Sequence, residues 1–395
     1  MAGLEGLRIL DLGSGFAGPF CARLLADAGA EVIKVEHPAG GDPTRREDGH
    51  IGQAGDSHTS ALYTFLNQGK QGLSLDITNP SGCDIFRKLV ARADVVIESF
   101  SPGTLAALEL DYANLEAIRP GIIVAAITSF GQNGPYRDYQ GDHLAISALG
   151  GWSWTFGESD REPLQVGFPI MYAMTGIYGA IGVLAALHGR EQDGKGQFID
   201  ISAQEACLNM QSYPQVLEQF NCPPLRRDIN GAMQTFYVPA RDGWMALNHL
   251  SAAQWENLCA LVGAFHLAED PTLLYDMQKK RAIVPEFMAA ATEWAKDKTR
   301  IEAFYEAQAL QVPAGIPYSA EEVLASDQLN ARGFFVQNEQ PGLGKFMQPR
   351  APFVSPSLRT EPQPAPDLGQ NNAAILQDIG LDTADLRRLR SAGVI

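Results

Sequence analysis

The residues whose types and spacing could do chemistry lie near the start of the chain. Ile9-Leu10-Asp11-Leu12 runs into Gly13-Ser14-Gly15-Phe16-Ala17-Gly18, and Glu36-His37 follows a second apolar run. A GxGxxG turn after a strand, with an acid about 20 residues on, satisfies the fingerprint of a dinucleotide site. S-adenosylmethionine would fit the same parts, and so would an ordinary tight turn in a doubly wound sheet. In each case glycines let backbone approach the ligand, and a helix N-terminus favours anions. A second candidate is Asp142-His143 in GDHLAISALGGW, an acid and a histidine able to exchange protons; a structural loop histidine fits there as well. His37, His50, His58, His188, His249 and His266 are scattered without HExxH or HxxxH spacing, so no metal site is expected. GxSxG, P-loop and HRD patterns are absent, which removes those nucleophile and phosphoryl-transfer classes.

Positioning the glycine turn requires a βαβ unit. Leu7–Leu12 reads as a buried strand, Pro19–Ala28 as a helix with proline in its first turn, and Glu31–Glu36 as the next strand. Further strands are expected at 72–76, 94–98, 122–127 and 197–202, with helices at 83–93, 103–118 and 172–190. Strands alternating with helices imply an α/β fold with a parallel sheet. Composition changes after about residue 215, and 251–310 reads as mostly helical. Strand-and-turn character resumes at Val312, Ser355–Asp367 reads as an extended proline-rich connection, and a last amphipathic helix covers 383–391. The expected domains are therefore 1–215, 216–310 as a smaller middle domain, and 311–395 returning to the first. Trp152, Trp154 and Phe156 form an aromatic cluster for which core packing is the expectation over a ligand pocket.

Composition bounds the class. With 46 acids against 30 bases, the formal net charge is −16, so nucleic acid is not an expected partner. Five cysteines, widely spaced and odd in number, point to a reducing compartment. No uninterrupted apolar run reaches membrane-helix length and the N-terminus lacks a secretory pattern, so a soluble cytoplasmic protein is expected.

Over most of its length the chain resembles class III CoA-transferases, the family of formyl-CoA transferase, carnitine CoA-transferase and α-methylacyl-CoA racemase. The resemblance is carried by LEGLRILDLGSGFAGPFCARLLADAGAEVIKVEHPAGGDPTR, LSLDITNPSG, ADVVIESFSPGTL, IVAAITSFGQNGPY, GVLAALHGREQDGKGQFIDIS, VPAGIPYSAEEVLASDQLNARGFFV and LGQNNAAILQDIGL, in that order. It implies a large Rossmann-like domain with a parallel sheet, built from both chain ends, a smaller middle domain, and an interlocked dimer. It implies acyl-CoA and a carboxylic acid as substrates, with CoA held by Gly13, Ser14, Gly15, Phe16, Ala17, Glu36, His37, Lys70, Ser99, Gly131, Tyr136 and Arg137. It displaces the NAD and S-adenosylmethionine readings of the first turn.

The resemblance also has gaps. It aligns the family's catalytic aspartate with Tyr172, inside GFPIMYAMTG, where no acid occurs. That aspartate attacks the thioester, passing through a mixed anhydride to an enzyme-bound thioester. A phenol with a pKa near 10 does not replace a carboxylate near 4. Gln71, Ala107, Gln370 and Asn371 likewise stand where the family usually carries charged residues or histidine. Three readings follow: a transferase using a displaced carboxylate, Glu158 or Asp160; a racemase or isomerase using Asp142 and His143; or a non-catalytic subunit paired with an active paralogue.

Overall fold

Six apolar runs pair into one parallel sheet in the order β3-β2-β1-β4-β5-β6, where β1 is Arg8–Leu12, β2 Glu31–Glu36, β3 Gln71–Ser74, β4 Val95–Glu98, β5 Ile123–Thr128 and β6 Phe198–Ser202. The computed structural model describes residues 3–47, 60–157, 161–220, 235–274, 276–356, 358 and 361–395. β1 to β5 are buried on both faces, which is why they read as nearly continuous apolar runs rather than alternating ones, while the edge strand β6 is buried only at Ile201 and Ser202. Ile9, Val32, Val95, Ile97 and Ile123 pack beneath the helices Ala17–Asp27 and Ile170–Asp193. Leu10, Ile33, Val96 and Val124 pack on the opposite face with the helices Pro80–Val90 and Thr383–Ser391. Alternate residues of one strand thus fill two separate cores.

The long helix Ile170–Asp193 is held close by its glycines. A Cβ on Gly176 would lie 2.8 Å from the Ala17 carbonyl, and one on Gly179 would lie 3.1 Å from Cys21 Sγ. The two helices can therefore approach backbone to backbone. By length and composition this helix would also cross a membrane, but half of its apolar window is buried in the fold. The stretch expected as one helix over 103–118 is two, Thr104–Ala107 and Tyr112–Ile118. Glu109 takes a left-handed conformation (φ 56°), which stops the first, and Asp111 caps the second by accepting from Asn114 N–H.

The chain divides into two units. The first comprises Met1–Gly151, Val166–Ser212 and Ala331–Ile395; the second comprises Trp152–Gln165 and Tyr213–Asn330. All six strands of the sheet come from residues 8–202, and the C-terminal segment joins the same unit through the helices Asn372–Asp378 and Thr383–Ser391 and the hairpin Phe335–Gln340/Gly344–Pro349. Asn371 Oδ1 accepts from Gly72 N–H at 2.8 Å and Asn372 Oδ1 from Ser74 N–H at 2.9 Å, so the LGQNN element covers the exposed edge of β3. In the second unit the hairpin Thr235–Ala240/Gly243–Asn248 packs with the helices Ala252–Leu261, Met277–Ala295 and Arg300–Ala309 around Phe236, Trp255 and Phe287. Trp152 and Phe156 stack at 5.7 Å, but Trp154 is 62% exposed, against the expectation that this cluster packs wholly in a core.

Candidate functional site

Strand order reverses between β1 and β4, and the turns leaving those two strands part there to leave a crevice. A cavity of about 450 Å³ opens at this point, lined by Ser14–Gly18 after β1, Ser99–Pro102 after β4, Ile127–Phe130 at the end of β5, and by Glu47, Arg137, Tyr139, Gln140, Pro169 and Tyr172. The glycine turn is fixed by close approach: a Cβ on Gly13 would lie 2.8 Å from Gly18 Cα. Ser14 N–H donates to Ser99 Oγ at 2.7 Å, joining the two turns across the crevice. The helix Ala17–Asp27 begins without a side-chain cap, so first-turn N–H groups remain to meet an anion.

Below the turn lies a buried ionic network whose members are scattered between Asp11 and Lys70 along the chain. Lys70 Nζ donates to Asp11 Oδ2 at 2.8 Å, to the Pro19 carbonyl at 2.8 Å and to Asn67 Oδ1 at 2.9 Å. Lys34 Nζ donates to the Gly13 carbonyl and to Asp42 Oδ2. Arg45 grips Glu36 with two hydrogen bonds and also reaches Tyr63 and the Pro366 carbonyl. Three cations thus face three carboxylates in a dry interior, where each is retained because the others are present. Burial pulls Lys70 down to about 8 against the attraction of Asp11. For Lys34, Asp11, Asp42 and Glu36 outweigh burial and raise it to about 12. The signals were visible: Asp11 and Lys34 are charges inside otherwise apolar strands.

The network changes what Glu36 and Lys70 have to offer. Both are buried and engaged: Lys70 holds the start of the glycine-turn helix through Asp11 and the Pro19 carbonyl, and Glu36 holds Arg45, Tyr63 and the Asp42 backbone, so neither presents free charge to a ligand. His37 is exposed and faces Asp76 at 3.6 Å. It lines a smaller hollow of about 180 Å³ that shares Ser14 and Phe100 with the main cavity.

Tyr172 stands in the first turn of the helix Ile170–Asp193, half-buried, with the His143 ring edge-on at 6.1 Å. Burial and then Asp142 raise its phenol above 10, so it stays protonated at neutral pH. Burial lowers His143, with Asp142 opposing, and this favours the neutral imidazole. Asp142 caps its helix by accepting from Ala145 N–H at 2.7 Å. Phe168, just before the helix, holds a left-handed backbone (φ 58°) while its ring meets Phe16 edge-on at 5.8 Å.

Of the residues singled out from sequence, Ser14, Gly15, Phe16, Ala17, Ser99, Arg137 and Tyr172 line the main cavity together. Gly13, the first residue of the turn, lines the smaller hollow instead. Gly131 sits beside it, its N–H donating to Thr128 Oγ1 at 2.9 Å, and Tyr136 stacks on Tyr139 at 5.0 Å. A Cβ on Gly103 would lie 3.3 Å from Arg137 Nη2, so the guanidinium reaches the turn that leads into the helix ending at Ala107. Glu158 and Asp160 lie outside the described residues, as do His50, His58 and Cys222. Among the described residues no group of three His, Cys, Asp or Glu is placed to hold a metal ion. Two residues at the crevice were missed: Glu47 on its lining and Glu98 at the end of β4. Burial raises the Glu98 carboxyl to about 7, with the Phe100 N–H bond opposing and Asp200 adding to it.

Comparison with known proteins places this geometry among relatives. A model described as CoA-transferase family III matches residues 4–372. Succinate--glutarate CoA-transferase of Agrobacterium fabrum is 33% identical over 387 residues, 95% of each chain. The alpha subunit of succinyl-CoA--L-malate CoA-transferase from Chloroflexus aurantiacus is 31% identical, over 99% of this chain and 92% of that one. A crystal structure of a CAIB/BAIF family protein from Brucella suis superposes with a TM-score of 0.82 at 31% identity, covering 95% of this chain and 98% of its own.

Proposed function

The chain belongs to CoA-transferase family III, and on that premise we propose that it binds a CoA thioester along the crevice while the attacking carboxylate comes from a paralogous partner chain. The observation that carries this reading is Tyr172, a protonated phenol in the first turn of the helix where a transferase needs an ionised acid. Among the described lining residues Glu47 is the one carboxylate, and Arg137 is the one cation. The cavity fits a CoA arm otherwise: glycine backbone on one wall, Ser99 on the other, an uncapped helix start, and Arg137 for a phosphate. The adenosine end would lie toward the smaller hollow beside His37.

In the transfer, a carboxylate oxygen attacks the thioester carbonyl, the C–S bond breaks, and CoA leaves as thiolate while the acyl group remains in a mixed anhydride. The thiolate then attacks the other carbonyl of that anhydride. An enzyme-bound thioester forms and the acid is released. Tyr172 does neither step, so this chain's part is to bind and orient. Relatives named as alpha subunits support a two-chain assembly, with the interlocked dimer as its form. Ile177, Ile181 and Leu184, one exposed apolar stripe on the long helix, offer surface for a second chain. Cys21, Cys83 and Cys259 are free and buried thiols, which supports a cytoplasmic setting.

Incubation with an acyl-CoA, followed by hydroxylamine or borohydride trapping and peptide mass analysis, tests the reading. No modified carboxylate is expected on this chain alone, and one is expected on its sibling in the co-expressed complex. A trapped Glu158 or Asp160 would establish a displaced nucleophile instead. The racemase reading draws support from the low-lying His143 beside Tyr172; it predicts solvent deuterium at the acyl α-carbon without transfer.

A further inference from the structure

Two carboxylates stand on strands that flank β5: Glu98 ends β4, and Asp200 lies on β6. Each holds the backbone of a turn beside the crevice. Glu98 Oε2 accepts Phe100 N–H at 2.7 Å, and both Asp200 oxygens accept Gln132 N–H at 3.0 Å. Glu98 is 6% exposed, and the hollow around it is walled mainly by apolar side chains such as Leu105, Leu110 and Phe198. Its charged or titratable neighbours are Asp200 from β6, and Asp111 and Tyr112 at the start of the helix Tyr112–Ile118; the neutral Gln132 faces it from the turn after β5. No lysine, arginine or histidine is among the described residues lining that hollow.

An acid buried without a cation is costly, and packing alone would favour an apolar or amide side chain there. What the carboxylate adds is a charge-assisted bond to the turn. That turn carries Ser99, whose Oγ accepts Ser14 N–H from the glycine turn. A chain of two short bonds therefore runs from Glu98 to the wall of the crevice.

We propose that Glu98 is a positioning residue for CoA: its carboxylate sets the Ser99–Pro102 turn, and through Ser99 the glycine turn, in the shape that receives the ligand. This rests on the CoA reading above. Because burial brings Glu98 to about 7, the bond to Phe100 weakens as the carboxyl protonates below neutrality.

The test uses the full chain and CoA itself. By calorimetry, affinity is expected to rise about fivefold to tenfold between pH 6 and pH 8 in the native protein, beyond any change seen in Glu98→Gln. The amide carbonyl introduced by that substitution keeps an acceptor for Phe100 N–H but does not ionise, so the variant should show only the pH dependence that CoA itself brings. The phosphates of CoA titrate alike with both proteins and cancel in the comparison. Hydrogen exchange of the Phe100 amide, without ligand and corrected for intrinsic rate, should show protection that grows with pH in the native chain and stays level in the variant. This second readout also reports whether the variant is folded. If native protein binds CoA and the two pH profiles coincide, or Phe100 protection is the same in both, the proposal is overturned alone. If native protein binds no CoA at any pH, the CoA reading falls and this inference falls with it.

Discussion

Lys70 and Tyr172 show how little a residue's type says of its role until its neighbours are known. Lys70 follows a glycine in a polar stretch, and the family resemblance implies that it holds CoA; in the fold it is buried, with Asp11, the Pro19 carbonyl and Asn67 accepting its hydrogen bonds. Replacing it by methionine leaves Asp11 buried with the Gly13 N–H and, as its remaining cation, the more distant Lys34 at 4.0 Å. Lys70→Met is expected to cost about 3 kcal/mol in urea unfolding, and adding Asp11→Asn should recover part of that loss, because the orphaned charge is then removed. Additive losses in the double variant would show that the two residues do not act as a pair. Tyr172 is the opposite case. Its type, a phenol rather than an acid, is plain from the sequence, and burial only pushes the phenol further from ionising.

At the scale of elements, the crevice depends on how closely two helices approach. Gly176 lies against the carbonyl of Ala17, the first residue of the helix that follows Gly15 and Phe16, so its small size sets how closely the long helix approaches a residue that lines the cavity. Gly176→Leu has no room without separating the helices. An expected loss of about 3 kcal/mol or more, read from denaturant midpoints, should come with loss of CoA binding; a variant as stable as the native chain would show that the contact yields easily. The strand and helix pattern of this unit was legible because parallel strands buried on both faces leave continuous apolar runs, and glycines mark the turns between them. The break at Glu109 was not, since a single left-handed residue in a helical pattern leaves no periodic signal. The hairpin 235–240/243–248 was also missed, its short strands lying where the composition changes.

For the whole molecule, stability against pH follows from two buried acids with opposite shifts. Burial tends to raise Asp42, but Lys34 and Thr44 outweigh it and hold the carboxyl low; that stabilisation is present above the ordinary carboxylate range and is lost as pH falls through the lowered value. Glu98 runs the other way. Its folded value of about 7 exceeds the unfolded 4.5, so the folded chain binds the extra proton between them, and stability declines as pH rises through that window. Glu98→Gln should therefore be more stable than the native chain at pH 8, by about 2 kcal/mol, with the difference shrinking toward pH 5. Chemical denaturation at the two pH values checks this, and a constant difference would mean that the carboxyl does not titrate in that window.

The α/β class, the glycine turn and the family likeness were all readable along the chain, because burial periodicity, turn chemistry and ordered motifs are local properties that sequence carries directly. So was the tyrosine at 172, since a residue's type does not depend on folding. Which charges face a ligand and which hold the wall behind it was not readable. Asp11, Lys34, Glu36, Asp42, Arg45 and Lys70 lie up to 59 residues apart and neutralise one another only when strands and turns bring them together. Glu98 closes an ordinary apolar strand, and its function as an acid arises from the apolar hollow and the backbone N–H that fold around it. Pairing and desolvation are properties of the assembled interior, and they separate a ligand-facing charge from a structural one.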